Sequence, residues 1–406
     1  MPTRLAEDTD LTALQSLLDL DEIIEPESPG YVANCQTCAA QKQCSPRLIV
    51  RPTSVESLSR TIRHLYSTKL DFAIYGHGFM SASAKDVLVN ILSFDDFNFD
   101  RSSKSITLGA GQTWEQVYQK LEEEAPAYAV VGARTPAVGV AGTILNGGWS
   151  WLSGEYGCVS DPINFLDAQV AKYDGSVVYA LLGARPTSSL MLSSEYSHTP
   201  RISGPARSSS PGEHLEQSIV PTADSGMMVT HAFDANGEAH GRASFKWALD
   251  LPGVIDQTRI STLADVAQLQ GKVSTAKETM TQFWAPMVLP DIPKGTIIKA
   301  VEWTEDLQSI DESIAECTYL IFEVLCTRDP PGPISQVAWP RPAGSKHILL
   351  FGLGCPSDTG QDEKRVAREL AIEVPGKVLG SDAEVNFLPN GFEEYHDPKK
   401  ASWTSS

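Results

Sequence analysis

Arg134-Thr-Pro-Ala-Val-Gly-Val-Ala-Gly-Thr-Ile-Leu-Asn-Gly-Gly-Trp-Ser-Trp-Leu-Ser-Gly-Glu-Tyr-Gly157 is the stretch on which the reading of this chain turns. Glycines stand at 139, 142, 147, 148, 154 and 157, with Val138, Val140, Ile144 and Leu145 among them. The core-forming residues rule out a flexible linker. A glycine-rich run of this kind suits a backbone that something must approach closely, because only Gly lacks the Cβ that would block it. Backbone N–H groups exposed in such turns form concavities that bind phosphate. On spacing alone the run equally fits the tight turns of an ordinary α/β domain.

The neighbours separate the two readings. Ile49-Val-Arg-Pro-Thr-Ser-Val-Glu-Ser-Leu58, Phe72-Ala-Ile-Tyr-Gly-His-Gly-Phe79 and Ile106-Thr-Leu-Gly-Ala-Gly-Gln-Thr-Trp-Glu115 precede it. Asp161-Pro-Ile163 and Asp174-Gly-Ser-Val-Val178 follow it. In that order the set resembles the FAD-binding domain of vanillyl-alcohol-oxidase-type flavoproteins, and within them the berberine-bridge-enzyme-like oxidases of fungal and plant secondary metabolism. The resemblance is specific over residues 46–180 and weaker over about 340–398. It implies an α+β fold: a two-part FAD-binding domain of mixed sheets and helices, and a substrate domain whose antiparallel sheet is backed by helices.

The resemblance also implies which residues meet the cofactor. They are Tyr75, Gly76, His77, Gly78 and Phe79 in one loop. Thr135, Val138, Gly139, Gly142, Thr143, Asn146, Gly147, Ser153 and Gly157 belong to the other. In the family the first loop often ends on a His bonded covalently to the flavin, and the second often carries a Cys three residues before a Val-Gly pair. Those positions are Phe79 and Thr135 here. The expectation is therefore non-covalent FAD, with pyrophosphate held by backbone donors rather than side chains. A local shift of register would instead bring His77 to the attachment point. As a loop histidine, His77 would hydrogen-bond backbone or pyrophosphate. Trp149 and Trp151 alternate, so one of the two packs into the core.

In such flavoproteins the flavin accepts a hydride at N5, and an alcohol donor also needs a base for its O–H proton. The family commonly uses a tyrosine of a Tyr-x-Asn-Tyr motif near the C-terminus. The matching stretch is Glu384-Val-Asn-Phe387, which leaves Glu384 and Asn386 as the catalytic candidates. Burial would have to raise the Glu384 pKa for that role. The implied activity is oxidation of an alcohol, a phenol-like ring or a C–H or N–H bond in a small secondary-metabolite substrate, with O2 as final acceptor. The alternative is a degenerate or truncated homologue that binds flavin weakly and has no catalysis.

Composition narrows the partners. The chain has 406 residues and 42% hydrophobic content, enough for two domains with cores. A net charge of −19 argues against nucleic acid or an anionic membrane surface as partner. No apolar run is long enough to span a bilayer, and the first residues lack the apolar region of a secretory signal. The expected location is intracellular, in the cytoplasm. Seven cysteines, an odd number, do not suggest a disulfide framework. Cys35-Gln-Thr-Cys38 with Cys44 lacks a nearby fourth ligand, so no metal is expected.

Taken in order, residues 1–45 read as a lead-in with one short helix. Residues 46–182 form the FAD-binding domain, with strands at Ile49-Val50, 72–75, 86–92 and 105–109 and helices capped by Thr53-Ser54 and Thr113. Asp174-Gly175 signals a hairpin turn. Residues 183–225, crowded with Ser, Pro and Arg, are expected to be irregular or disordered. Residues 226–380 form the substrate domain. Within it Met227–Thr230, Ala243–Leu249 and His347–Leu353 are expected as strands. Helices are expected within Ile260–Val273, Thr275–Phe283 and Asp311–Leu325, and over Asp362–Val374 until Pro375. Residues 381–406 would be a truncated return to the FAD domain.

Overall fold

The computed structural model describes residues 8–79, 82–161, 164–181, 189–197, 213–221, 226–275, 277, 279–325 and 347–380. After helix α1 (Asp8–Gln15) the chain builds a four-stranded sheet from β1 (Ile23–Ile24), β2 (Leu48–Val50), β3 (Phe72–Tyr75) and β4 (Val87–Asn90), in the order β1-β2-β4-β3. β2, β3 and β4 run parallel, and β1 is antiparallel to β2. Parallel strands need a crossover, which is α2 (Val55–Thr68). Ser54 caps it: its side chain accepts from Ser57 N at 3.1 Å. Leu58, Ile62 and Leu65 lie buried on one stripe. Burying each is worth about 1.5–3 kcal/mol.

A second sheet contains β5 (Phe97–Asp100), β6 (Ser105–Gly109), β7 (Phe165–Lys172), β8 (Val177–Leu181) and β9 (Ser189–Ser197). It is antiparallel, in the order β5-β6-β9-β7-β8. Between β6 and β7 the chain inserts α3 (Trp114–Glu124), α4 (Val140–Leu145) and α5 (Ser153–Tyr156). Thr113 caps α3 through a reciprocal box with Gln116. The β7–β8 hairpin turns at Asp174-Gly175, where Gly175 has φ +76°.

The third sheet joins β10 (Glu213–Pro221), β11 (Gly226–Asp234), β12 (Met280–Leu289), β13 (Tyr319–Leu325) and β14 (His347–Pro356), in the order β11-β10-β13-β14-β12 and antiparallel throughout. Helices α6 (Glu238–Ser244), α7 (Lys246–Leu249), α8 (Leu263–Ala267), α9 (Lys294–Ile310), α10 (Glu312–Glu316) and α11 (Gln361–Leu379) accompany it. Strand residues alternate between its faces. Phe283, Ala285, Met287, Leu320, Phe322, Leu349, Phe351 and Leu353 are buried on one face, in one core with Ala300 of α9 and Ala367, Ala371 and Val374 of α11. The opposite face carries Trp284, Tyr319 and Glu323, and Glu323 there pairs with Arg134 of the loop before α4. Among the described residues no helix is long and apolar enough to cross a membrane.

The α+β architecture is as expected, but several local expectations need correction. Residues 183–225 contain β9 and β10 rather than only irregular chain. β9 fills the gap between β6 and β7, so pairing partners rather than local propensity make it a strand. Ala243–Leu249, expected as a strand, lies in α6 and α7. The helix expected within 275–283 gives way to β12 from Met280, whereas the one expected within 311–325 is α10 (Glu312–Glu316), followed by β13 from Tyr319. Both strands are held by β14, which lies far away in sequence. Pro375 does not end α11, which runs on to Leu379. Its ring is buried, so packing offsets the loss of one helical hydrogen bond.

Candidate functional site

Two loops, one after β3 and one leading into α4, face each other across a largely apolar cavity of about 560 Å³. That size falls in the range of roughly 300–1,000 Å³ usual for ligand and cofactor pockets. The first loop is tied down from outside the cavity. Tyr75 is buried, and its hydroxyl donates to Gln36 O at 2.9 Å. Cys38 N donates to Gly78 O at 2.9 Å. Gly78 has φ +72°, and a Cβ there would stand 2.2 Å from Gln36 O. The residues before the FAD-type domain are thus part of the site's support rather than a loose lead-in. From the same segment, the Gln41 side chain donates to Gln282 O at 2.6 Å and accepts from Gln282 N at 3.2 Å, gripping β12.

His77 turns inward across the loop. Its Nε2 lies 2.8 Å from Gly111 O. A carbonyl only accepts, so that nitrogen carries the proton and Nδ1 keeps its lone pair. Burial pushes the imidazole pKa down to about 4, so the ring is neutral at neutral pH. Its Cδ2 stands 2.8 Å from where a Cβ on Gly139 would be, so the ring covers Gly139. Phe79 is buried at the cavity wall, and the Lys277 ammonium lies 5.3 Å from its ring centre.

The second loop is built on α3. Trp114 N donates to Val138 O at 3.1 Å, Glu115 N to Pro136 O at 2.9 Å, and Val140 N to Gln112 O at 2.9 Å. Gly139 caps α4, and Thr143 Oγ1 donates to its carbonyl at 2.8 Å. Asn146 Nδ2 donates to Gly142 O at 2.8 Å. Thr135 Oγ1 donates to Gln270 Oε1 at 2.7 Å, which ties the loop to the segment after α8. Gly148, with φ +75°, packs so closely that a Cβ would sit 2.3 Å from Val159 Cγ1.

Two glycines behave differently. At Gly76 and Gly142 an added Cβ would meet no atom within 4 Å, and neither has a positive φ. Both line the cavity. Neither backbone conformation nor packing accounts for the absence of a side chain. Both positions leave room for a ligand to lie directly against the backbone.

Of the residues expected to contact a cofactor, Gly76, His77, Gly78, Phe79, Thr135, Val138, Gly139, Gly142, Thr143 and Asn146 line this cavity together. Tyr75, Gly147, Ser153 and Gly157 do not line it. Tyr75 supports the first loop from below. Gly147 O accepts from Ser160 N at 2.9 Å in a turn with φ +97°. Ser153 Oγ accepts from Ser150 N at 2.8 Å, and Gly157 ends α5 with φ +79°. Their glycine and serine signals belong to local turns. Of the tryptophan pair, Trp149 lines the cavity and Trp151 is buried. Glu384 and Asn386 lie outside the described residues. Arg134, Tyr173 and Trp284 line the cavity as well, without having been expected there. Tyr173 and Trp284 come from the β7–β8 hairpin and from β12, and only the Asp174-Gly175 turn signal hinted at the first of them.

Residues 46–180 match the family of FAD binding domains. Residues 46–180 are thus similar to FAD binding domains. It is 34% identical over 181 residues to the FAD-dependent monooxygenase yanF of Aspergillus niger, a match covering 42% of this chain and 30% of that protein. It is 28% identical over 176 residues to an uncharacterized FAD-linked oxidoreductase of Arthroderma benhamiae, covering 41% and 34%. The chain thus spans about a third of the length of these curated relatives. Its fold is similar to that of 6-hydroxy-D-nicotine oxidase from Arthrobacter nicotinovorans, with a TM-score of 0.72 at 17% identity over 89% of this chain and 86% of the other. Berberine bridge enzyme from Eschscholzia californica gives 0.73 at 12% identity over 94% and 86%. The open glycines fit FAD, the ligand of the matching domain family, because a flat, phosphate-bearing ligand needs bare backbone at close range.

Proposed function

We propose that this chain is an FAD-dependent oxidoreductase that holds its cofactor without a covalent bond and oxidises a small secondary-metabolite molecule, with O2 as the final electron acceptor. The observation that carries this reading is the pair of open glycines, Gly76 and Gly142, one in each of the two loops that line the cavity. The residues at the family's attachment positions support the non-covalent part. Phe79 offers only carbon, and the Thr135 hydroxyl is engaged by Gln270. His77 uses Nε2 to hold Gly111 O and covers Gly139.

When bound, FAD supplies an acceptor for two electrons. This chain's residues supply the rest. Backbone around Gly76 and Gly142 permits close approach. His77, neutral and locked, fixes the first loop against the second. Trp284 of β12 lines the cavity beside these loops and helps exclude water from it.

The test is the visible spectrum of purified protein, repeated on the supernatant after acid precipitation. A flavin spectrum that moves to the supernatant is the expected result. Flavin retained in the pellet overturns the non-covalent reading and points to His77. No flavin, even after FAD is added, overturns the oxidoreductase reading.

A further inference from the structure

Arg134 is the one residue with a permanent charge among the described residues lining the cavity. Its guanidinium forms an ion pair with Glu323 of β13. The pair is sheltered: the Glu323 side chain is 4% exposed and that of Arg134 is 19%. The two residues come from different units. Arg134 opens the loop leading to α4, and Glu323 sits near the end of a central strand of the third sheet. Ile62 of α2 and Ala171 and Tyr173 of the β7–β8 hairpin line the cavity from the FAD-binding domain, and Trp284 of β12 lines it from the third sheet. A redox ring must meet its substrate, so it belongs at the end where the third sheet arrives.

Resting on the FAD-dependent reading, we propose that Arg134 presents positive charge to the isoalloxazine ring, where negative charge accumulates on reduction, and that Glu323 is a positioning residue that aims the guanidinium and sets how much of its charge the ring feels. Charge beside the ring is one of the few means by which a protein tunes a flavin. In a poorly solvated cavity that charge acts over the contact distance with little screening. His77, neutral at neutral pH, adds no charge of its own. The Lys277 ammonium, over the Phe79 ring and close enough to act on His77, adds charge of the same sign as that of Arg134. The arrangement makes the substrate sheet part of the redox setting, not only a roof.

The test is the flavin midpoint potential of the holoprotein, wild type against Glu323→Gln, Arg134→Lys, Arg134→Gln and the double variant Arg134→Gln/Glu323→Gln. Oxidised- and reduced-state FAD affinities are measured alongside. Glu323→Gln should favour the reduced flavin about tenfold over wild type, which is about 30 mV upward for a two-electron couple. Arg134→Gln should move the potential down, and Arg134→Lys should recover part of the loss. If Arg134→Gln alone fails to fold because Glu323 is left buried without its guanidinium, the double variant keeps the test open. Its potential should lie below wild type. Wild-type potentials in Glu323→Gln and the double variant overturn the proposal. So does an equal change in FAD affinity in both redox states at constant potential, which would place the guanidinium on the diphosphate. Wild-type protein that binds no FAD at all is a separate result, and it sinks the parent reading instead.

Discussion

The glycines of the two cavity loops fall into two groups that sequence cannot distinguish. Gly78 and Gly148 are closed: each has a positive φ and a neighbour that a Cβ would strike, Gln36 O at 2.2 Å and Val159 Cγ1 at 2.3 Å. Gly76 and Gly142 are open: ordinary backbone, and nothing within 4 Å. We read the closed glycines as serving folding and the open ones as serving binding. A glycine-rich motif is therefore two overlaid messages, and only the space around each Cα sorts them. Substitution by alanine separates the two by sign as well as size.

The largest effect should come from the closed group. Gly78→Ala must leave the left-handed region or push against a backbone carbonyl that cannot yield. Strain at such a φ costs about 1–3 kcal/mol, and overpacking typically adds about 1–3 kcal/mol more. We expect a loss of about 3 kcal/mol or more in unfolding free energy by denaturant titration, with FAD or without it. Gly148→Ala should behave alike. A loss below 1 kcal/mol at both positions would break the division.

The FAD-binding domain was legible because its signals are local. Ser54 and Thr113 announce their helices, Asp174-Gly175 announces its hairpin, and the glycine run announces the cavity. The third sheet was legible only in part, because β12 and β13 are strands by virtue of β14. β9 was missed for the same reason, as a Ser-rich segment whose pairing lies with β6 and β7. Within the site, Arg134 stood inside the quoted stretch but carried no signal, since its role depends on Glu323 almost two hundred residues away. Gly147, Ser153 and Gly157 were drawn into the site by motif position, although their hydrogen bonds and dihedrals serve turns.

Gly139 is an intermediate case, closed by a side chain rather than by backbone. His77 lies over it with its pKa pushed down to about 4 by burial. The folded state thus resists protonating a group that the unfolded chain protonates near 6.5. Below that value the unfolded state binds more protons, so stability falls as pH drops from about 6.5 toward 4 and is unaffected by His77 above 6.5. Allowing for residual solvent contact, we expect about 1–2 kcal/mol across that window. Comparing unfolding free energies of wild type and His77→Gln at pH 7 and pH 4.5 isolates it. Parallel pH profiles would show that the ring is not held neutral, and would weaken its part in closing Gly139.

The smallest effect is the sharpest test, because its sign reverses with the ligand. Gly142 sits inside α4, where Gly is less favourable than Ala by about 0.8–1 kcal/mol. With no φ constraint and no neighbour to strike, Gly142→Ala should stabilise the flavin-free protein by about 0.5–1 kcal/mol. The same methyl group projects into the cavity, so FAD affinity should fall about tenfold or more. Thermal unfolding of the flavin-free variant and FAD titration by fluorescence give the two readings. A stabilised protein that binds FAD as wild type does would mean the cofactor never approaches Gly142, and the open group would shrink to Gly76. A destabilised flavin-free protein would mean that Gly142 is held by packing after all, and the distinction between the two groups would fail at its clearest member.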